Sequence, residues 1–317
     1  MSPDYAVVIP TVGRSSLSVV LDAVEHGRGV APREVIVVDD RPEPGPLPPT
    51  HSARVLHTGG RGPAAARNAG WRATCCEWVV FLDDDVVPGP DWRERLAEDL
   101  ADAGLDLGAS QGRIVVPLPE DRRPTDWERG TAGLAGAKWI TADMAYRRAA
   151  LARVGGFDER FPRAYREDAE LAVRVLDHGY RIDTGNRTTT HPVRAADFFA
   201  SLRQQRGNAD DALVRRLLGP GWRSRIGGHR GRLGWHAATT AAGAVAVLGA
   251  VTGRRRLALA GGAVWAGLTA LYAGQRIAPG PRTADEIARM LVTSAAIPVA
   301  ACWHRLVGEL RFRGVRR

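Results

Sequence analysis

The stretch Phe81-Leu82-Asp83-Asp84-Asp85-Val86-Val87-Pro88 decides the fold, because an apolar run ends there in three consecutive carboxylates. The residues just before it, 77–80, are typical of the start of a buried strand. Ligand sites of open α/β sheets lie at the carboxyl ends of such strands. Adjacent acids raise one another's pKa values, and a divalent cation with oxygen ligands relieves that repulsion. The stretch therefore predicts a metal site for a phosphate-bearing ligand, with a solvated acidic turn as the alternative.

The composition sets broad limits on what the chain does. The 317 residues carry a net charge of +9, and the last seven contain four arginines. Such a charge suits a nucleotide ligand or an anionic membrane surface. No helix-turn-helix, zinc-finger spacing or aromatic-interleaved basic run is apparent, so we expect no nucleic-acid partner. Three cysteines form neither a disulfide framework nor a zinc pattern, and the start Met1-Ser2-Pro3-Asp4 has no signal-peptide character. We expect a cytoplasmic protein.

Short β-branched runs alternate with helical patterns through the first two thirds of the chain. The alternation predicts an α/β fold with a mainly parallel sheet flanked by helices. A Gly-rich turn at 59–63 opens a helix, whose N-terminus suits an anion. The predicted strands are 5–10, 34–40, 54–57, 77–82, 110–116, 139–144, 180–183 and 188–191. The predicted helices are 17–24, 64–70, 91–100, 148–154 and 167–178.

Six short motifs occur in a fixed order along this α/β region. They are Pro10-Thr11, Val38-Asp39-Asp40, Ala66-Arg67-Asn68-x-Gly70, Phe81-Leu82-Asp83-x-Asp85, Gly155-Gly156-Phe157-Asp158-Glu159 and Arg166-Glu167-Asp168-x-Glu170-Leu171. Their order and spacing resemble an inverting family 2 glycosyltransferase with a GT-A fold, over residues 5–195. The resemblance implies domains at 1–195 (nucleotide-sugar binding and catalysis) and 196–317 (a helical extension). It also implies a nucleoside-diphosphate sugar donor and a hydroxyl acceptor.

The resemblance assigns donor contacts to a small set of positions. It places Thr11 and Asp40 at the nucleoside, and Gly62 and Arg67 near the nucleotide. A carboxylate at a strand end accepts hydrogen bonds from a base or ribose, although Asp40 alone also suits a turn. Arg67 has the alternative of pairing with a nearby acid. Asp84, between the two acids of the DxD motif, has either a capping or a ribose role.

The metal and the general base are also implied by the resemblance. Asp83 and Asp85 match the DxD motif, and alternate residues of an extended chain point to one side, where they would hold Mn²⁺ or Mg²⁺. His191 would complete that site, or is a surface histidine. Asp168 matches the Asp that acts as the base of an inverting displacement. The alternative for Asp168 is a first-turn acid that complements the helix dipole.

The acceptor side carries three predicted residues. By resemblance Trp139, Asp143 and Glu167 face the acceptor, although Trp139 also suits the core and relatives carry Asn at the position of Asp143. Residues 198–208 (FFASLRQQRGN) lack the Gln-x-x-Arg-Trp motif of chain-extending relatives. A single sugar addition is therefore favoured over polymer synthesis.

The tail contains two uncharged stretches, 237–253 and 257–274, separated by three arginines. Each is near the lower length limit for a membrane span, and two spans would place those arginines outside. A hairpin at the cytoplasmic membrane surface and a soluble helical pair both fit. Thr283-x-x-Glu286 then predicts a capping box for a helix from Asp285 toward Ile297.

Two other classes of protein share some of these features. A sugar-phosphate nucleotidylyltransferase has a similar sheet and acidic metal site, but residues 10–14 are a poor match to the Gly-rich basic loop it requires. A non-catalytic module that binds nucleotide sugar or membrane is the other alternative. The sequence favours the metal-dependent, inverting glycosyltransferase.

Overall fold

The computed structural model describes residues 2–50, 52–101, 103–228 and 231–315. It divides the chain into two compact units. Unit 1 consists of Met1–Pro117 with Ala132–Val193, and unit 2 of Leu118–Thr131 with Arg194–Arg317. Segment Leu118–Thr131 belongs to unit 2, although it lies within the first domain in the sequence.

Among the described residues of unit 1, eight strands form one sheet in the order β3-β2-β1-β4-β7-β6-β8-β5. The first four are parallel neighbours, whereas β7 runs antiparallel to both β4 and β6. The sheet is therefore parallel on one side and mixed on the other. The strands are β1 Tyr5–Thr11, β2 Glu34–Asp39, β3 Arg54–His57, β4 Trp78–Leu82, β5 Val87–Pro88, β6 Leu107–Val115, β7 Asp143–Arg147 and β8 Arg181–Thr190.

Helices cover both faces of the sheet, and each face has its own apolar core. One core joins the sheet to α1 and α3, and the other joins it to α2, α5 and α6. Helix α2 lies very close to β1, because a Cβ on Gly70 would come within 2.3 Å of Val8. The helices of this unit are α1 Leu17–His26, α2 Pro63–Arg72, α3 Trp92–Ala101, α5 Arg148–Val154 and α6 Glu167–Asp177, with a 3₁₀ turn at Gly133–Gly136. This architecture confirms the predicted α/β fold with flanking helices.

Three predicted strands differ from the structure. The strand expected over 139–144 begins only at Asp143, and Trp139 precedes it with a left-handed backbone (φ 62°). The two edge strands expected over 180–183 and 188–191 form one strand, β8, with irregularities in its pairing to β6. Backbone pairing to β6 holds the polar middle of β8 in the sheet, which side-chain periodicity cannot reveal.

Unit 2 is helical. Its elements are α4 Asp126–Ala132, α7 Ala200–Arg203, a 3₁₀ turn Gln204–Arg206, α8 Gly207–Leu218, α9 Trp222–Arg225, α10 Leu233–Val251, α11 Arg255–Ile277 and α12 Ala284–Arg311. The Thr283 side chain accepts a hydrogen bond from the Glu286 N–H, as the capping-box prediction requires. Helix α12 continues through Pro298 to Arg311, so the end predicted near Ile297 was wrong. A proline removes one helical hydrogen bond, but packing along a long helix can outweigh that loss.

Candidate active site

A buried arginine links the end of β4 to the start of α6. Arg67 donates from Nη2 to Asp83 Oδ1 and from Nη1 to Glu167 Oε1, each at 2.8 Å. Its side chain is only 2% exposed, whereas that of Asp83 is half-buried. Arg67 comes from α2, so one guanidinium joins three elements of unit 1. These contacts match the alternative role considered for Arg67, pairing with nearby acids; its predicted contact with a nucleotide stays a prediction.

Two adjacent acids begin α6, directly after Arg166 with its left-handed backbone (φ 79°). Burial raises the pKa of Glu167, repulsion from Asp168 adds to that rise, and Arg67 opposes it. Burial also raises the pKa of Asp168, against the opposing hydrogen bond from the Ala169 N–H and the charge of Arg67. A carboxylate with raised proton affinity is suited to accept a proton from a hydroxyl group.

The network around Arg67 leaves hydrogen-bonding capacity unused. Within the described ranges, Arg67 Nε and Glu167 Oε2 are buried atoms without a hydrogen-bond partner. Native structures rarely leave such atoms unpaired, and when they do, a bound water, ion or ligand group is a common explanation. The polar cluster at the start of α6 therefore has the character of a site built for a further molecule.

Asp84 lies on the inner side of the acidic stretch. Its carboxylate accepts hydrogen bonds from Thr11 Oγ1, at 2.6 Å, and from Arg14 Nη1. Ser16 Oγ donates to the Asp84 carbonyl oxygen at 2.7 Å. Burial raises the pKa of Asp84, while the contacts with Thr11 and Arg14 lower it. Asp84 thus fixes the loop after β1 to the end of β4, and its predicted donor contact remains untested, as does that of Thr11.

Asp85, which lies just before β5, is close to His191, with 4.0 Å between Asp85 Oδ1 and His191 Nε2. His191 Nδ1 lies 3.2 Å from the Pro192 carbonyl oxygen. If Nδ1 carries the proton and donates to that carbonyl, Nε2 keeps a lone pair on the side of Asp85. Carboxylate and imidazole suit Mn²⁺, and carboxylate suits Mg²⁺. Within the described residues, however, no group of three His, Cys, Asp or Glu is arranged to hold a metal.

Asp83 is the member of the predicted metal trio that is not brought to the other two. Its carboxylate contacts Arg67, whereas Asp85 and His191 lie together. Asp85 and His191 are therefore the two predicted metal-binding residues that the structure brings together. The metal role predicted for Asp83, Asp85 and His191 stays a prediction.

Asp40 holds the Gly-rich turn that begins α2. Its Oδ1 accepts a hydrogen bond from Thr58 Oγ1 at 2.7 Å, and its Oδ2 accepts one from the Gly62 N–H at 2.8 Å. Gly62 has a φ of 97°, a conformation that strongly favours glycine. Asp40 therefore shapes the turn, and direct contact of Asp40 or Gly62 with a nucleotide remains a prediction.

The residues predicted for the acceptor side lie in different environments. Asp143 is fully buried, and its carboxylate accepts hydrogen bonds from Trp92 Nε1, Arg187 Nε and Thr189 Oγ1 at 2.6–2.8 Å. Those contacts give it a structural role, and its predicted contact with the acceptor stays a prediction. Trp139 is partly exposed and borders a cavity of unit 1.

Sequence reasoning missed Arg14 and Gln111. Arg14 neutralises Asp84, and the Gln111 side chain contacts the backbone of the segment before β7. Both contacts join residues that are far apart in the chain, so no local motif predicts them. An arginine four residues after the predicted end of the first strand was the available signal for Arg14.

Comparison with known proteins shows a family match for the N-terminal half of the chain. Residues 6–161 match the model of glycosyl transferase family 2. The pre-mycofactocin glycosyltransferases of two Mycobacterium tuberculosis strains, CDC 1551 / Oshkosh and ATCC 25618 / H37Rv, are 32% identical over 203 residues. The match covers 56% of this chain and 40% of each relative, so the chain corresponds to well under half of those proteins.

One solved structure resembles nearly the whole chain. It is the mannosyltransferase PcManGT from Pyrobaculum calidifontis in complex with GDP-Man and Mn²⁺, with a TM-score of 0.57 and 20% identity. The likeness covers 96% of this chain and 88% of the mannosyltransferase, and it shows the GT-A fold. The family match thus places residues 6–161 in glycosyl transferase family 2, and the likeness to the mannosyltransferase shows the GT-A fold of the chain.

Proposed function

We propose that the enzyme transfers a single sugar from a nucleoside-diphosphate sugar to a hydroxyl group of an acceptor, with inversion at the anomeric carbon. The observation that carries the proposal is the buried Asp83–Arg67–Glu167 network, which joins the acidic end of β4 to Glu167, the residue just before Asp168. This network supports the proposal, because the predicted leaving-group residues and the predicted base would then act in one region of unit 1. The fold relative that holds GDP-Man with Mn²⁺ supports a nucleotide-sugar donor.

Asp168 is the general base in this mechanism. Its carboxylate accepts the proton of the acceptor hydroxyl while that oxygen forms a bond to the anomeric carbon. The bond from the same carbon to the diphosphate breaks, and the nucleoside diphosphate leaves. The burial that raises the pKa of Asp168 increases its ability to accept that proton near neutral pH. Arg67 orients the carboxylates of Glu167 and Asp83 by donating one hydrogen bond to each of them.

A divalent cation held by Asp85 and His191 would neutralise charge on the departing diphosphate. Thr11, Asp40 and Gly62 are proposed to line the nucleoside through the two loops they shape. Asp84 stabilises this proposed nucleoside site, because its carboxylate accepts a hydrogen bond from Thr11. Asp168, Glu167 and Trp139 are proposed for the acceptor side.

Replacing Asp168 by Asn tests the mechanism, because it removes the proton acceptor and changes little in volume. We expect transfer to fall by about 10²–10⁴-fold while donor binding is retained. Asp177→Asn is the matched control, since Asp177 is an exposed acid at the other end of the same helix. Transfer in the Asp168→Asn variant at the rate of the control would remove Asp168 from the mechanism.

We also propose that unit 2 associates with a lipid bilayer through the hairpin of α10 and α11. Helices α10, α11 and α12 are long and apolar enough to cross a membrane by length and composition. Less than a fifth of the apolar window of α10 or α11 is buried. The proposed association is peripheral: a cytoplasmic enzyme is attached to the membrane surface through this hairpin, as one of the two sequence-based alternatives predicts.

The packing inside the hairpin supports lipid as its surroundings. Small residues face one another: a Cβ on Gly249 would lie 2.5 Å from the Ala258 backbone, and one on Gly261 would lie 2.6 Å from that of Ala246. The large apolar side chains point outward instead, namely Val245, Val247, Leu248, Val251, Leu257, Leu259, Val264 and Trp265. Helices in water bury their large apolar residues, whereas helices in lipid pack through small residues. The hairpin follows the second pattern.

Flotation with lipid vesicles tests this association. The wild-type enzyme should float with vesicles of phosphatidylglycerol and phosphatidylcholine. A variant with Val247→Glu and Leu259→Glu, at side chains 65% and 64% exposed, should stay at the bottom of the gradient. Leu105→Glu, at an 86% exposed leucine of unit 1, is the control and should float. A wild-type enzyme that is monodisperse without detergent and does not float would refute the association.

A further inference from the structure

Unit 1 contains a cavity of about 570 Å³ that none of the predicted donor, metal or base residues lines. From its chemistry we infer that this cavity binds an anionic group, a carboxylate or a phosphate, of the sugar acceptor. The inference rests on the proposed function, because it concerns the acceptor of that transfer. The side chains used in the argument are Gln111, Arg113, Lys138, Trp139 and Asp183.

The cavity has an excess of positive charge. In the part of the chain that the structure describes, neither Arg113 nor Lys138 forms an ion pair with a carboxylate. Arg113 instead donates to two neutral acceptors, the Gly185 carbonyl oxygen at 3.1 Å and Asn186 Oδ1 at 3.0 Å. Asp183 also borders the cavity, but Arg181 pairs with it. Two cationic side chains are therefore available to an anion.

Lys138 is the only lysine among the 44 Lys and Arg residues of the chain. A lysine ammonium is a compact point charge on a flexible stem, whereas an arginine presents a rigid fork. Paired with Arg113 at one cavity, it combines the two geometries that phosphate and carboxylate groups accept. Because the chain has no other lysine, a reagent that acylates lysine side chains reports on Lys138 alone.

The tryptophan beside Lys138 is held in a conformation that non-glycine residues rarely adopt. Trp139 has a φ of 62°, and its N–H donates to Gln111 Oε1. Gln111 Nε2 donates in turn to the Ala137 carbonyl oxygen at 3.0 Å. The Gln111 amide is therefore hydrogen-bonded to the backbone of the residues on both sides of Lys138. Backbone strain that is held in place in this way is concentrated at ligand sites.

The position of the cavity suits an acceptor. Leu82, just before the acidic stretch, pairs with Asp143 on β7, and the neighbouring residue Met144 pairs with Gln111 on β6. The cavity floor therefore lies two strands, about 10 Å, from the end of β4. That separation is of the size of one sugar ring with its substituent. Trp139 offers an aromatic face for the ring, while the two cations bind the charged substituent.

The chemical reactivity of Lys138 provides the test. Full-length enzyme is treated with acetic anhydride, and acetylation of the Lys138 peptide is followed by mass spectrometry. The probes are glucose 6-phosphate, glucuronate and uncharged methyl glucoside, all at equal ionic strength. An anion present at ten times its dissociation constant should slow acetylation by about tenfold, by mass action. The phosphate and carboxylate arms identify which anion is preferred.

Arg113→Gln supplies the matched variant, because it keeps Lys138 available and removes the second cation. Protection by the anionic sugar should then weaken, while acetylation without ligand proceeds as in the wild type. Equal rates with all probes, or equal protection by methyl glucoside, would overturn the inference. Thermal stabilisation by nucleotide sugars, measured on the same samples, reports separately on the proposed function and does not depend on Lys138.

Discussion

Replacing Arg67 by Met should destabilise unit 1 strongly. The methionine occupies a similar volume but removes the guanidinium that lies 2.8 Å from both Asp83 and Glu167. Glu167 is buried, so it would be left with an uncompensated charge or would have to bind a proton. Removing one partner of a buried ion pair costs about 3–5 kcal/mol. For a domain of this size that corresponds to a fall of roughly 6–20 °C in Tm.

Urea denaturation followed by tryptophan fluorescence measures this effect at pH 7. Arg95→Met is the control, because Arg95 is a half-exposed arginine that also pairs with two acids, Asp91 and Glu98. Such surface pairs contribute about 0–1 kcal/mol each. Adding Glu167→Gln to Arg67→Met should restore about 0.5–3 kcal/mol, because the unpaired carboxylate is removed. An Arg67→Met protein as stable as the Arg95→Met protein would refute the buried network.

Three further predictions concern other parts of unit 1. Gly156→Ala should cost about 1–3 kcal/mol in thermal or urea unfolding, because the new Cβ would lie 2.4 Å from Asn68 Oδ1 at a φ of 78°; a neutral effect would contradict the tight fit. Asp84→Asn should cost about 1–3 kcal/mol by the same measurement, since the amide nitrogen cannot accept one of the hydrogen bonds that Thr11 and Arg14 donate. Because burial raises the pKa of Asp168, kcat/KM should fall as pH is lowered through that raised value, above the ordinary 3.8. A profile flat down to pH 4 would contradict the role of the base.

Most of the sheet could be predicted from the sequence, because its central strands are continuous β-branched runs. Strands β1 to β4 lie within a residue or two of their predicted bounds. The failures occur where long-range contacts override local pattern. Residues 185–187 lie in β8 because Thr184 and Thr188 on either side of them pair with β6, and α12 passes Pro298 within a long packed helix.

The sequence predicted which residues belong to the candidate site, but it did not predict which residues they contact. Motif order marked Asp83, Asp85 and Asp168, since the family requires acids there. The partners of Arg67 are 16 and 100 residues away in the chain, and only the fold brings them together. The burial of Asp143 could not be predicted either, because an acid in a strand can be a buried structural residue or a ligand contact.

The proposed chemistry depends first on a nucleotide-sugar donor bound with a divalent cation. Thermal stability measured with UDP-, GDP-, TDP- and ADP-sugars, each with Mn²⁺ and with EDTA, tests this most directly. We expect one nucleotide to raise the Tm in Mn²⁺ and to lose that effect in EDTA, and Asp85→Asn to weaken it. Folded enzyme that responds to none of the four donors with Mn²⁺ would contradict the proposed donor site.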